Sequence, residues 1–347
     1  MAVTVAVDAH GADLGPSEVA AAAAIAAAQG IRVLLFGPAA ELGTPPAGVE
    51  IVDAPVSIAK AADPARAARS TPEASIVQAA KAVAAGDADV LVSGGSTGAA
   101  LAAGLFEIKR SPGIYRPALA MPVPVPGNPV TLLDVGANTE VRPEHLVQFA
   151  FMGAALAATV LGVSRPRVAL LANGEEAAKG TQAVIEAHRQ LLERSAGSDL
   201  LEFVGNVEGT DVTAGVADVI VTDGFTGNVA IKLMEGVSQA ILGAVREAAR
   251  STPRAKAGGL LLRPALGGLR ADLDPEAHGG AYLLGLRRLG VVPHGRFGRT
   301  GIAQAIQLAA RGVEGDIVGR THAALEAAGA LRSRPPASGP AATVADE

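Results

Sequence analysis

Short apolar runs rich in β-branched residues alternate with segments of helical periodicity along most of the chain. The runs that predict strands are residues 3–7, 31–36, 49–52, 90–92, 130–135, 167–171, 203–206 and 219–222. Helical patterns begin near residue 17 and cover 71–85, 145–164 and 229–250. This alternation predicts an α/β protein, a three-layer αβα fold with a mostly parallel sheet. We expect residues 1–330 to form a single unit, with a hydrophobic helical segment near 240–275 that projects from it.

Capping residues mark the expected starts of two helices. Ser17 is a candidate cap for the Ala-rich helix after the first strand, and Thr71, followed by Pro72, for the helix that ends near residue 85. The uncharged run at 145–164 approaches membrane-spanning length. It is rich in Ala and Gly and contains Gln148, so the pattern favours a buried helix over a membrane span.

Other segments depart from the alternation. Residues 54–70 have no clear period and are expected at the surface. Prolines in the 117–129 segment favour an edge strand or a connector. Residues 251–274 interrupt the pattern, 281–292 have apolar strand character, and 301–325 are helical. The tail at 331–347 is rich in Pro, Ser and Ala and is expected to be disordered.

Nearly every predicted strand ends in a polar loop that contains glycine. The carboxyl ends of parallel strands share one edge of a sheet, so we expect these loops to gather there and form a site. One of them, residues 93–99, consists almost entirely of glycines and hydroxyl-bearing residues. Its backbone N–H groups and the hydroxyls of Ser96 and Thr97 suit an oxyanion, although a tight βα connection explains the same composition.

The stretch 217–236 combines a β-branched run, a glycine turn and a helical pattern. Gly224 and Gly227 suit a turn with positive φ, and Asn228 follows them directly. Asn228 could be the N-cap of the helix, or its amide could donate to an oxyanion. An ordinary βα turn remains the alternative.

Lys179 follows another strand, in a segment that reads GEEAAKGT. We expect Glu175, Glu176 and Lys179 to begin a helix, where Glu175 and Lys179 would form an i, i+4 surface pair. Lysine is scarce in this chain, however, and this one lies beside the glycine loops. Its charge could therefore bind phosphate.

Composition excludes several classes of protein. The chain has no Cys, which removes a disulfide scaffold, a thiolate zinc site and a cysteine nucleophile. The net charge of −5 gives no general attraction to nucleic acid. The six His residues show no metal-ligand spacing, a GxSxG elbow is absent, and the N-terminus does not resemble a signal peptide.

Several segments together resemble the bacterial phosphate acyltransferase family of phospholipid synthesis. They are DAHGADLGP at 8–16, SGGSTGA at 93–99, RPAL at 116–119, LDVGAN at 133–138, PEHLVQFA at 143–150, RPRVALL and GEEAAKGT within 165–181, FVGNVEGTD at 203–211, ADVIVTDGFTGNVAIK at 217–232 and HGGAYLLG at 278–285. Each is weak alone, but together they span nearly the whole chain in family order.

The resemblance implies transfer of a fatty acyl group from acyl-acyl carrier protein to inorganic phosphate, giving acyl phosphate for phosphatidic acid synthesis. It implies a fold similar to isocitrate and isopropylmalate dehydrogenases, a homodimer, and no metal or organic cofactor. The chemistry requires binding of two anionic reactants and stabilisation of a tetrahedral oxyanion. We assign Lys179 to phosphate and transition-state charge, and Asn228 to orientation or the oxyanion.

The matching segments also supply candidate substrate-binding residues. These are Asp8, Gly11, Ser93, Gly95, Ser96, Thr97, Gly98, Asn138, Gly174, Glu175, Asn206, Glu208, Asp223, Gly224, Thr226 and Gly227.

Three alternatives stay open at this point. A phosphate acetyl- or butyryl-transferase that uses coenzyme A thioesters is the nearest one. A dehydrogenase on the same fold would need metal-binding Asp residues and a catalytic Tyr, and only Tyr115 and Tyr282 exist. A non-catalytic binding module lacks an interaction motif.

Residues 251–272 combine four basic residues with clustered leucines: Arg254, Lys256, Arg263, Arg270, Leu260, Leu261, Leu262 and Leu266. The basic residues could steer acidic carrier protein or anionic lipid, and the leucines could insert shallowly into a bilayer. Packing of the leucines against a second subunit explains the same pattern. We expect a cytoplasmic protein in weak peripheral contact with the membrane, where a membrane-bound glycerol-3-phosphate acyltransferase would use the acyl phosphate.

Overall fold

The structure is a computed structural model that describes residues 2–332 except 124, 126, 128 and 273, and it leaves the side chains of 269–272 and 275 undescribed. The strands are β1 Thr4–Asp8, β2 Arg32–Gly37, β3 Val49–Asp53, β4 Val90–Ser93, β5 Ala118–Val123, β6 Val130–Leu133, β7 Arg167–Leu171, β8 Glu202–Val207, β9 Val219–Val221, β10 Ala281–Leu284 and β11 Leu289–Val292. The helices are α1 Pro16–Ala27, α2 Ala39–Leu42, α3 Pro64–Ser70, α4 Ser75–Ala85, α5 Thr97–Ala103, α6 Pro143–Leu156, α7 Gln182–Ser195, α8 Gly224–Arg250, α9 Pro253–Asp272, α10 Pro275–His278, α11 Arg299–Glu314 and α12 Ile317–Ala327. Turns of π-helix extend α5 over Gly104–Ile108 and α6 over Ala157–Leu161.

One sheet runs through the molecule in the order β3-β2-β1-β4-β11-β10-β5-β6-β9-β7-β8. β1, β2, β3, β4 and β11 are parallel to one another, and so are β6, β7, β8 and β9. Between these two blocks, β10 pairs antiparallel with β11 and β5, and β5 pairs antiparallel with β6. The mostly parallel α/β fold is therefore confirmed.

The placement of all strand-end loops on one edge is wrong. Three successive antiparallel pairings between the blocks reverse the chain direction, so β6 to β9 run opposite to β1 to β4. The carboxyl ends of the two blocks consequently point towards opposite edges of the sheet. Sequence periodicity does not reveal which strands become neighbours, and the orientation of the second block depends on those neighbours.

Strand alternation sends successive side chains to two helical layers. Val5 and Val7 of β1 belong to the same buried cluster as residues of α1, α6 and α11, whereas Ala6 belongs to a second cluster with residues of α4 and α5 on the other face. Helices on both faces of the sheet confirm the three layers. The apolar segment Pro143–Leu161 is long enough to cross a membrane, but 72% of its most apolar window is buried inside the protein. The prediction of a buried helix there is confirmed.

Two helix starts differ from the prediction. The first helix begins at Pro16, with Gly15 rather than Ser17 at the N-cap. The helix that ends at residue 85 begins at Ser75, because residues 71–74 form a turn that closes the preceding helix α3. The prediction missed α3, which lies in the segment without a clear period.

The proline-rich segment forms a central strand rather than an edge strand or connector. β5 lies between β10 and β6, but its pairing with β10 covers only residues 118–120. Pro122 lies beyond that pairing and faces a neighbouring strand on one side, where Thr131 of β6 is its partner. A proline without a donor is tolerated at such a position.

Residues 251–272 are largely helical. They contain α9, which packs back on α8 to form a helical hairpin, and a Cβ at Gly259 would lie 2.9 Å from Ala249 Cβ. Glycines and Pro264 inside α9 obscured its periodicity in the sequence. Leu261 is 83% exposed on α9, and its neighbours Leu260 and Leu262 are also exposed. The predicted disordered tail falls mainly on residues 333–347, which lie outside the described residues. The side chain of Arg270 is likewise not described.

Candidate functional site

A cleft of about 310 Å³ opens over β5, where loops from both blocks meet. Leu119 and Met121 line it from alternate positions of β5, so one face of that strand provides its floor. The first block contributes the loops after β4 and β11, and the second contributes the loop after β6 and one side of α8. The residues that line it are Gly95, Ser96, Thr97, Leu119, Met121, Val135, Gly136, Asn228, Ile231, Lys232, Glu235, Gly280, Ala281, Val292, Pro293, His294, Gly295 and Phe297.

The loop after β4 is supported from below by a buried carboxylate. Asp8 is 3% exposed and accepts hydrogen bonds from Ser75 Oγ at 2.6 Å and Ser93 Oγ at 2.8 Å. Ser93 Oγ in turn accepts from the N–H of Gly95 at 3.3 Å. Burial raises the pKa of Asp8, while the bonds from Ser75, Ser93 and the His10 N–H oppose that rise. Asp8 thus joins β1, α4 and the loop that lines the cleft.

Glycines allow the first two loops to touch. Gly11 has φ of 91°, and a Cβ there would lie 2.5 Å from Gly95 Cα. Ser96 caps α5 by accepting from the N–H of Ala99, and a Cβ at Gly98 would lie 3.0 Å from Pro64. Of these residues, Gly95 and Ser96 reach the cleft, as does the neighbouring Thr97.

A second buried carboxylate organises the loop after β6. Asp134 Oδ1 accepts from the backbone N–H groups of Leu119, Gly136 and Ala137 at 2.9–3.1 Å. Its Oδ2 accepts from both the N–H and the Nδ2 of Asn138 at 2.8 Å. Burial raises the pKa of Asp134, and these donors oppose the rise. The result is a rigid loop that places Gly136 in the cleft.

α8 begins against this loop. Asp223 is its N-cap and accepts from the N–H and the Oγ1 of Thr226, at 2.8 and 2.7 Å. A Cβ at Gly224 would lie 2.8 Å from the backbone of Asn138, and one at Gly227 would lie 1.9 Å from the carbonyl oxygen of Asp134. These glycines are helical, so the predicted turn with positive φ and the candidate N-cap at Asn228 are both wrong. Close approach of two backbones is what requires glycine here.

Asn228 lies in the first turns of α8 and lines the cleft. Its Nδ2 lies 3.7 Å from the position of a Cβ on Gly136, so it faces the loop that Asp134 holds. A side-chain amide that lines a cleft can donate to a developing oxyanion.

The loops after β7 and β8 form a separate group. Lys179 is exposed with its stem against Gly174, where a Cβ would lie 2.7 Å from Lys179 Cγ. The helix after this loop starts at Gln182 with Thr181 as its cap, so Glu175, Glu176 and Lys179 precede it and the predicted helical pair is wrong. Among the described residues, Lys179 lies outside the lining of the cleft.

Other candidate residues, in these loops and in the loop after β6, serve local structure. Asn206 donates from Nδ2 to the carbonyl of Glu176 at 2.9 Å and pairs through Oδ1 with His188. The N–H of Glu208 donates to Asp211 Oδ2. Asn138 is buried, and its Nδ2 also donates to the carbonyl of Pro117. Their assignment to substrate binding stays a prediction, as does that of Asp8 and Glu175.

Sequence reasoning missed three groups beside the cleft. Lys232 follows Asn228 by one helical turn, and this i, i+4 spacing was the available signal. His294 and Glu235 also line the cleft, and Glu235 forms an ion pair of 2.9 Å with Arg296. Burial, together with the charges of Arg296 and Lys232, lowers the pKa of His294, against the opposing effect of nearby carboxylates.

Comparison with known proteins assigns the chain to a family. A family model described as "Fatty acid synthesis protein" matches residues 3–320. A protein of Pelotomaculum thermopropionicum named phosphate acyltransferase is 40% identical over 329 residues, covering 93% of this chain and 95% of that protein. One of the same name from Thermobifida fusca is 42% identical, covering 90% of this chain and 88% of its own.

Solved structures share the fold at low sequence identity. A phosphotransacetylase from Streptococcus pyogenes superposes with a TM-score of 0.59 at 18% identity, covering 90% of this chain and 94% of that structure. EutD phosphotransacetylase from Staphylococcus aureus gives a TM-score of 0.57 at 16% identity over the same shares. The fold is thus shared with phosphotransacetylases, while the sequence relationship is more specific. Its match to the family model and its similarity to these relatives show that the chain belongs to the phosphate acyltransferase family of lipid synthesis.

Proposed function

We propose that this protein transfers a fatty acyl group from acyl-acyl carrier protein to inorganic phosphate. The observation that carries the proposal is the cleft itself, in a chain of the phosphate acyltransferase family: it combines an apolar floor with the hydroxyls of Ser96 and Thr97 and the amide of Asn228. An oxygen of phosphate forms a bond to the thioester carbon, the C–S bond breaks, and the electron pair leaves with the thiolate of the carrier. The thiolate then takes a proton from water.

The chemistry needs little proton transfer. Phosphate is already anionic and nucleophilic at neutral pH, and a thiolate is a good leaving group. Bringing the reactants together and stabilising the tetrahedral oxyanion are therefore the main tasks. Asn228 Nδ2 and the hydroxyls of Ser96 and Thr97 line the cleft and can donate to the oxyanion. Leu119, Met121 and Ile231 offer an apolar surface to the acyl chain.

In this proposal Lys179, which lies outside the cleft lining, supplies positive charge to the phosphate. Its loop follows β7, which pairs with β9, and β9 leads into α8. Closure of this exposed loop over the cleft would bring the ammonium group to the phosphate.

Purified protein, palmitoyl-acyl carrier protein and phosphate, with a chelator present, provide the test. We expect acyl phosphate to form, and to form faster than from butyryl-coenzyme A. A preference for butyryl-coenzyme A would assign the chain to the coenzyme A-dependent class instead.

Two variants test the assigned residues. Asn228→Ala and Lys179→Ala, each shown by circular dichroism to be folded, should lose most of the turnover. Near wild-type turnover in either variant would remove that residue from the mechanism.

The exposed side of α8 supports a homodimer as part of this proposal. Apolar side chains recur there every four residues: Phe225, Val229, Leu233, Val237, Ile241 and Val245. Such a stripe on a helix of 27 residues fits a partner surface rather than water. Leu233→Glu with Val237→Glu should convert a dimer into a monomer by light scattering, and a dimer that persists would place its interface elsewhere.

We also propose that α9 gives weak membrane contact in the cytoplasm, where a membrane-bound glycerol-3-phosphate acyltransferase would receive the acyl phosphate. Support comes from the exposed Leu260, Leu261 and Leu262 on a helix that also carries Arg254, Lys256 and Arg263. Leu261→Glu with Leu262→Glu should abolish co-sedimentation with anionic vesicles while the oligomeric state is retained. Unchanged co-sedimentation would dismiss the membrane role.

A further inference from the structure

One face of α8 places Lys232 in the cleft, and sequence reasoning did not consider this lysine. Asn228, Ile231, Lys232 and Glu235 line the cleft at spacings of three, four and seven residues. Residues at these spacings share one side of a helix. Lys232 therefore extends to the same opening as Asn228, about 6 Å further along the helix axis.

The charges around this lysine leave an excess of positive charge in the cleft. Among the described residues that line the cleft, Glu235 is the one carboxylate, and Arg296 holds it in an ion pair of 2.9 Å. That pair is neutral as a unit. Among the described residues, no carboxylate lies within salt-bridge distance of Lys232.

The neighbouring histidine does not supply a second cation. His294 lines the cleft from the loop after β11, and its partial burial beside Arg296 and Lys232 favours the neutral imidazole. Lys179 is exposed on the loop after β7, outside the lining. Lys232 is thus the cleft-lining ammonium group whose charge is available to an anionic ligand.

We infer that Lys232 binds the phosphate that attacks the thioester, and that it keeps the same contact with the phosphoryl group of the product. The inference rests on the proposed function for the identity of the anion. A lysine ammonium is a compact charge with three donors, which suits phosphate oxygens and leaves the attacking oxygen free. Its position one turn from Asn228 holds the nucleophile beside the oxyanion donor.

Steady-state kinetics with varied phosphate test this role. Lys232→Met should raise KM for phosphate about 10- to 100-fold, the usual range for loss of a charged hydrogen bond, and leave KM for the acyl carrier unchanged. Lys232→Arg should recover part of the affinity because it retains the charge. Lys81→Met, which removes an exposed lysine on α4, is the matched control and should behave as wild type. An unchanged KM for phosphate in folded Lys232→Met would overturn the inference.

A binding measurement separates this inference from the proposed function. Phosphate should raise the melting temperature of wild type and of Lys81→Met above that in chloride at equal ionic strength, and Lys232→Met should lose the increase. An equal increase in Lys232→Met would refute the site. If wild type formed no acyl phosphate from acyl carrier protein, the proposed function would fail, whereas loss of the phosphate-dependent shift in Lys232→Met would still support the anion site.

Discussion

Each block of the sheet holds one buried carboxylate at the end of a strand, and the two differ in their partners. Asp8 in the first block accepts mainly from two serine hydroxyls. Asp134 in the second accepts five N–H bonds, four of them from the backbone. A hydroxyl can rotate and become an acceptor, whereas an N–H group can only donate. We therefore expect the first site to tolerate a change of charge and the second to require a carboxylate.

Asp134→Asn should have the largest effect. Each carboxylate oxygen accepts from at least two N–H groups, so the new amide NH₂ faces donors in either orientation. We expect a loss of about 3–5 kcal/mol in the free energy of unfolding, measured by urea denaturation. A loss below about 1 kcal/mol would show that the five bonds do not require an anion.

Gly227→Ala tests how closely α8 approaches the Asp134 loop. The added Cβ would lie 1.9 Å from the Asp134 carbonyl oxygen, so the helix or the loop must move. A loss of about 3 kcal/mol is expected in the same assay, together with loss of turnover because Asn228 is displaced. Gly236→Ala is the matched control: it meets no atom within 4 Å, and it should gain about 0.5–1 kcal/mol. Equal effects at both positions would contradict the close contact.

Asp8→Asn should cost less, about 1–2 kcal/mol, because the hydroxyls of Ser75 and Ser93 can reorient towards an amide. Asp8→Ala leaves both hydroxyls without their partner and should cost more than Asp8→Asn. If Asp8→Asn were as harmful as Asp134→Asn, the distinction between hydroxyl and backbone donors would not explain the two sites.

The pH dependence of the Asp8 effect should be the smallest of these changes. Burial raises the pKa of Asp8 in the folded protein above its ordinary value of 3.8, so the folded state binds the proton more tightly than the unfolded state. The stabilisation from this group is therefore complete below pH 3.8 and is lost as pH rises through the folded pKa. The unfolding free energy of wild type minus that of Asp8→Asn should fall as pH rises above 3.8, and a rise would contradict a raised pKa.

Sequence patterns predicted the local structure of both blocks better than their assembly. Apolar runs located most of the strands, since a buried strand has the same pattern whatever its neighbours are. They did not reveal that residues 118–123 lie in the middle of the sheet, because strand order depends on contacts between distant segments. The reversed direction of the second block follows from that order.

The site was predicted in part for a similar reason. Asn228, Gly95, Ser96 and Thr97 were candidates and line the cleft together. Asp134 was missed because it lay inside the predicted strand 130–135, and because its five donors come from β5 and from a compact loop whose shape the spacing of residues does not show. The glycines at 224 and 227 were noticed, but for a turn rather than for backbone contact.

The strand order has a consequence for synthesis of the chain on the ribosome. β11 fits between β4 and β10, and β10 pairs with β5, so two central strands come from the last quarter of the sequence. Until residues 281–292 emerge, β4 and β5 each keep an unpaired edge, and such edges invite association between nascent chains. The many pairings between distant segments also slow folding. Chains shortened before residue 281 should therefore aggregate rather than persist as a folded N-terminal block.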